Sequence, residues 1–175
     1  MIFTPTKLAG AWTIDMTWST DSRGSFGRTF CERELAERGL TSRFPQHSAS
    51  RSSRKATLRG MHFQRAPHGE VKIVSCHKGA IWDAIIDLRP DSTTFRQWQG
   101  FELTADNRRQ LYVPEGFAHG QISLCDDTEV HYLISSFYEP AAASGVRFDD
   151  PSFGIDWPLN PAIVSERDAG WPLFA

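Results

Sequence analysis

From Val71 to Ser136 the chain is a succession of short segments, apolar or alternating, each cut off by turn residues. The segments are Val71–Cys76, Ala80–Asp87, Arg96–Leu103, Arg109–Val113, Phe117–Leu124 and Thr128–Ser136. The breaks between them are His77-Lys78-Gly79, Arg89-Pro90-Asp91, Pro114-Glu115-Gly116 and Asp126-Asp127. Runs of this length with regular turn signals predict strands, and many such strands in series predict a sandwich or barrel. Nearer the start, Trp12, Ile14, Met16 and Trp18 alternate with polar residues, which predicts a further strand with one buried face.

The remaining segments read differently. Cys31–Arg38 is rich in Glu, Leu and Ala and is followed by Gly39, which predicts a short N-terminal helix with a glycine stop. Gln46 to Ala56 is rich in Ser and Arg and fits a loop or a polar-faced edge strand. From Asp149 onward the prolines predict irregular structure with short helical turns. The 175 residues fit one domain, spanning 1–175, with no linker or internal repeat. With a net charge of −2, the chain is a poor partner for nucleic acid. Cys31, Cys76 and Cys125 form no CxxC or zinc spacing, which points to a reduced, cytoplasmic setting. Met1 to Gly10 lacks the features of a signal peptide, and no stretch approaches the length of a membrane span.

Several polar residues interrupt this apolar pattern. Arg59 and His62 lie three apart in Leu58-Arg59-Gly60-Met61-His62-Phe63-Gln64; taken alone, a satisfied core histidine and a surface arginine explain them equally well. In Pro114-Glu115-Gly116-Phe117-Ala118-His119-Gly120 a turn delivers a histidine between small residues, and Gly120 permits close approach to the backbone. Lys72 and Asp83 are charges inside otherwise apolar strands, where charges are paired or functional more often than idle. Tyr132 and Tyr138 fit packing on a strand as well as chemistry.

Together these segments resemble the dTDP-4-dehydrorhamnose 3,5-epimerase family, a metal-free branch of the cupin superfamily. The resemblance runs over nearly the whole chain. It includes Asp21-Ser22-Arg23-Gly24-Ser25-Phe26, Phe95-Arg96-Gln97-Trp98, Asp149-Asp150-Pro151 and the two histidine strings above. It implies an all-β, cupin-type jelly-roll barrel. It also implies an epimerase that inverts C3 and C5 of a nucleotide-linked 4-keto-6-deoxyhexose without a cofactor. A ketone at C4 makes the C3 and C5 protons removable, and inversion needs a base on one face of the ring and an acid on the other. By resemblance His62 is the base, Tyr132 the acid, and Asp168 the carboxylate that orients His62 and stabilises its imidazolium. Lys72 stabilises the enolate, with Asp83 a partner for its charge. Arg23 and Arg59 match phosphate-binding positions, His119 a substrate-binding position, and Tyr138 the aromatic near the nucleotide base. Gln46, Arg28 and Arg167 complete the expected substrate contacts. The family's counterparts of Arg23 cross a dimer interface, which implies a homodimer with shared active sites.

The sequence departs from the family pattern around the nucleotide. Arg28 and Ala143 stand where the family has glutamates, and Gln46-His47-Ser48-Ala49-Ser50 replaces a Gln-x-Asn-x-Ser-x-Ser run. Inversion at C3 alone, or a different nucleotide, is the nearest alternative. A metal-dependent cupin is disfavoured because Gln64 stands two residues after His62, where a metal cupin has its second histidine. A non-catalytic sugar-nucleotide binder is disfavoured because binding alone requires no matched acid and base.

Overall fold

A computed structural model describes residues 1–174. In chain order the elements are β1 (Ile2–Pro5), β2 (Trp12–Asp15), β3 (Trp18–Asp21), β4 (Gly24–Gly27), α1 (Glu32–Ala36), β5 (Gln46–Ser52) and β6 (Leu58–Gln64). There follow β7 (Lys72–Lys78), β8 (Ala80–Asp87), β9 (Trp98–Thr104), β10 (Gln110–Val113), β11 (Phe117–Ser123), β12 (Thr128–Ile134), β13 (Ala143–Gly145) and α2 (Glu166–Ala169). A six-stranded sheet runs β1-β2-β10-β7-β12-β5 and a five-stranded sheet runs β13-β6-β11-β8-β9. The two pack face to face as a sandwich of jelly-roll type, the fold class expected from the sequence. The predicted N-terminal helix is α1, with Cys31 as its N-cap and Gly39 at positive φ just beyond it.

Period-two alternation decides what lies between the sheets. Val74, Cys76, Ile81, Ile85, Leu103, Leu111, Phe117 and Val130 point inward and form the central core. The outer faces are also apolar, and each is covered. Leu35 of α1, with Leu40 and Phe44, packs on Ile14, Ile73 and Tyr112 of the six-stranded sheet. The C-terminal tail lays Phe153, Ile155, Trp157 and Phe174 over Met61, Ala84, Ile86 and Ala118 of the five-stranded sheet. Sheets buried on both faces explain why several strands read as continuous apolar runs.

Two strand expectations are corrected or resolved. The alternation from Trp12 to Trp18 is not one strand: β2 ends at Asp15, and Trp18 opens the separate β3–β4 hairpin. Trp18 packs instead under the Arg108 guanidinium, 4.7 Å from its ring, and against Gly27. Gln46–Ser52 is an edge strand, hydrogen-bonded to β12 alone.

Candidate functional site

Polar residues replace apolar ones at one end of the sandwich interior, and a cleft of about 600 Å³ opens there. From the five-stranded sheet it is lined by Arg59 and His62 of β6 and His119 and Gln121 of β11. The six-stranded sheet contributes Lys72 of β7, Tyr132 and Ile134 of β12 and Ser50 of β5. Ser165, Arg167 and Asp168 come from the α2 segment.

A regular strand places residues three apart on opposite faces, so Arg59 and His62 need an irregularity to share one cleft. It is present: β6 pairs His62 with His119 but Arg59 with Gln121, so three steps on β6 match two on β11. This bulge depends on glycine. Gly60 has φ +141°, and a Cβ there would collide with the Gly120 Cα on the facing strand.

The tail then sets the carboxylate against His62. Leu58 N–H donates to Ile163 O at 2.9 Å, which draws the tail alongside β6. Ser165 caps α2 by accepting from Asp168 N–H at 3.1 Å, which leaves the Asp168 side chain directed at the strand. Its Oδ1 accepts from His62 Nε2 at 2.6 Å and its Oδ2 from Gly60 N–H at 3.1 Å. Burial opposes ionisation of this carboxyl, but the bonds from His62 and Gly60 outweigh it and hold its pKa below the usual value. With Nε2 donating to a carboxylate, neutral His62 keeps Nδ1 as its basic nitrogen.

On the opposite sheet, the Tyr132 hydroxyl oxygen accepts from Gln121 Nε2 at 2.7 Å and lies 3.0 Å from Ser50 Oγ. Burial pushes the phenol pKa far above its ordinary value, despite an opposing contribution from Ser50. Tyr132 therefore holds its proton at neutral pH. His62 on β6 and Tyr132 on β12 thus belong to different sheets, and both line the cleft with Asp168 of α2.

The expected partnership between Lys72 and Asp83 is corrected. Lys72 Nζ pairs with Glu70 Oε1 at 2.8 Å, while Asp83 Oδ2 accepts from His119 Nε2 at 2.8 Å. The register explains the exchange, because Asp83 lies opposite Gln121 and so diagonal to His119 on the same face of the neighbouring strand. Asp83 is fully buried, which raises its pKa, against the attraction of His119 and of Lys72.

Arg59 and Arg167 line the cleft and form no salt bridge among the described residues. Arg59 donates to Ser52 Oγ at 3.2 Å and to Arg51 O at 2.9 Å, and Arg167 lies 5.1 Å over the Trp171 ring. Gln46, Tyr138 and Ala143 line an adjoining hollow that also touches His62, Lys72 and Arg167. Gln46 Oε1 accepts from Tyr138 N–H at 2.6 Å, tying the two together. The structure does not bring Arg23 or Arg28 to this cleft. Arg23 sits on the exposed β3–β4 hairpin with its side chain 88% exposed, and Arg28 pairs with Glu34 at 3.2 Å.

Gln64 makes three bonds to backbone: its Nε2 donates to His68 O and Phe137 O, and its Oε1 accepts from Glu139 N–H. Among the described residues, no group of three or more His, Cys, Asp or Glu is arranged to hold a metal ion. No helix among them is long and apolar enough to cross a membrane. Sequence reading missed Glu70, Ser50 and Gln121. Gln121 had a usable signal, since it follows His119 by two residues on the same strand face.

The family model described as dTDP-4-dehydrorhamnose 3,5-epimerase matches residues 5–175. A dTDP-4-dehydrorhamnose 3,5-epimerase of Methanothermobacter thermautotrophicus is 44% identical over 173 residues, covering 97% of this chain and 92% of its own. The Salmonella typhimurium enzyme of the same name is 39% identical over 158 residues, covering 88% of this chain and 85% of its own. Among solved structures, the Bacillus anthracis enzyme with TDP and PPi bound superposes with a TM-score of 0.95 at 39% identity, covering 99% of each chain.

Proposed function

Because this chain belongs to the dTDP-4-dehydrorhamnose 3,5-epimerase family, we propose that it inverts C3 and C5 of dTDP-4-dehydro-6-deoxyglucose or a close relative, in deoxysugar biosynthesis. The observation that supports the reading is a histidine–carboxylate pair and a hydrogen-bonded tyrosine lining one cleft from strands of different sheets. A sugar ring held between them presents one face to each.

His62 takes the proton beside the ketone through its free ring nitrogen, and Asp168 holds the imidazolium that results. The electron pair moves onto the ketone oxygen, where the Lys72 ammonium meets the developing charge. Tyr132 returns a proton to the carbon from the opposite face. Arg59 and Arg167 suit the diphosphate, since a guanidinium can make two parallel bonds to phosphate oxygens. The hollow at Gln46, Tyr138 and Ala143 adjoins this region and suits the base. The chain acts as a homodimer, in which Arg23 of one subunit reaches the cleft of the other.

The test is incubation with dTDP-, CDP- and GDP-linked 4-keto-6-deoxyglucose in heavy water, followed by NMR at C3 and C5. Deuterium enters and inverts at both carbons with the dTDP sugar, and His62→Ala lowers this by about 10²–10⁴-fold. Inversion at C3 alone reassigns the product. Absence of exchange with all three substrates rejects the reading.

A further inference from the structure

Gln121 does something the acid–base assignment does not require of it. It is 3% exposed, on the inward face of β11, and lines the cleft. Its Nε2 donates to the Tyr132 oxygen at 2.7 Å and lies 3.4 Å from Ser50 Oγ, which is itself 3.0 Å from that oxygen. The other end of the amide has no such support, because Gln121 Oε1 is buried with no hydrogen-bond partner among the described residues. A buried acceptor left unpaired is destabilising. Leucine, of similar volume and without the polar atoms, would serve packing better, so stability does not account for glutamine at this position. The amide's one short bond goes to the atom that must release a proton.

We propose that Gln121 is a positioning residue for proton delivery, whose amide N–H holds the Tyr132 oxygen and stabilises the phenolate formed when the proton leaves. This rests on the assignment of Tyr132 as the acid. In that step the Tyr132 O–H bond breaks and its electron pair stays on the phenolate. The carbon–carbon pair of the enolate forms the new C–H bond, and the enolate oxygen restores the ketone. Negative charge thus passes from the sugar to the Tyr132 oxygen in a largely buried site. Gln121 Nε2 is already directed at that oxygen, and the Ser50 hydroxyl can turn to supply a second donor. Donors fixed before the charge arrives lower the barrier to delivery. They do nothing for proton removal by His62. Tyr132 afterwards recovers a proton from water.

Deuterium wash-in and epimer yield, followed in one NMR time course with the dTDP sugar, separate these two half-steps. Gln121→Leu lowers inversion by about 10- to 100-fold, the usual worth of a hydrogen bond to a charged group, with wash-in nearly unchanged. Wash-in in the same sample reports an intact cleft. Added to Tyr132→Phe, Gln121→Leu causes no further loss of inversion. Gln121→Glu preserves the shape but exchanges the donor for a carboxylate. Its inversion is weak at alkaline pH and recovers as pH falls and the carboxyl gains a proton to donate, a response that a packing role would not give. Equal loss of wash-in and inversion in Gln121→Leu, or additive loss on Tyr132→Phe, overturns the role of Gln121 while leaving Tyr132 as the acid. If Tyr132→Phe leaves the ratio of wash-in to inversion at its wild-type value, the acid assignment falls, and Gln121's role with it.

Discussion

In the proposed reaction His62 and Tyr132 divide the proton transfers between two sheets, and a single oxygen atom tests the division. Tyr132→Phe keeps the ring and removes the hydroxyl held by Gln121 and Ser50. His62 still takes the proton, and Lys72 still faces the enolate, but nothing on the far side returns a proton. Deuterium therefore continues to enter while inverted product falls by about 10²–10⁴-fold. If both fall together, Tyr132 places the sugar and does not protonate it; if neither changes, it is a packing residue. At this scale much of the site was legible in the sequence, because a histidine, a lysine or an aspartate inside an apolar strand is costly to bury without a partner. Partner identities were less legible. Glu70 precedes β7 in a segment with no periodic pattern, so nothing marked it as the partner of Lys72. Asp83 was visible as a buried charge, but its bond to His119 depends on the register between β8 and β11, which is a property of the folded sheet.

At the scale of elements, hydrophobic alternation located the strands wherever the buried face is apolar. It left β5 ambiguous because Gln46 and Ser48 line the adjoining hollow, Ser50 lines the cleft and Ser52 accepts from Arg59, so its inward side carries no hydrophobic signal. It also could not register the bulge in β6, which brings Arg59 and His62 into one cleft despite their odd spacing. The end of β8 shows a further element-scale device. The Asp87 carboxylate is fully buried and accepts from Arg89 Nε at 2.8 Å, from Thr94 Oγ1 at 2.7 Å and from Ser92 Oγ. It anchors the turn between β8 and β9. Burial opposes its ionisation, yet the Arg89, Ser92 and Thr94 bonds prevail and bring its pKa to about 2. A pKa depressed on folding stabilises the fold above the unfolded-chain value near 3.9, and that contribution disappears as pH falls from there through about 2. Asp87→Asn is expected to cost about 2 kcal/mol at neutral pH. The gap to wild type, measured by urea unfolding, narrows as pH falls through that window. A gap independent of pH would show that the carboxylate's charge contributes nothing.

At the scale of the whole molecule, the cleft of one chain lacks an arginine that the proposed reaction uses. Arg23 is carried on a hairpin that pairs with no other strand, beside Phe26, which is 81% exposed. Exposed apolar surface and unpaired strand edges are features that association covers, and β5, at the margin of the cleft, is one such edge. If Arg23 serves the partner's cleft, two defective chains can repair each other. His62→Ala spoils the cleft of its own subunit, whereas Arg23→Ala spoils the cleft of its partner. In a mixed dimer both defects then fall on one cleft, the one belonging to the His62→Ala chain. The other cleft has an intact His62 of its own and an intact Arg23 from across the interface. Random pairing makes half of the dimers mixed with one good cleft in two, so co-refolding equal amounts restores about a quarter of wild-type activity. The assay is run at substrate concentrations below KM, where loss of a diphosphate contact is felt. If Arg23 instead serves its own subunit, every cleft in the mixture keeps one lesion, and activity stays at the average of the two variants.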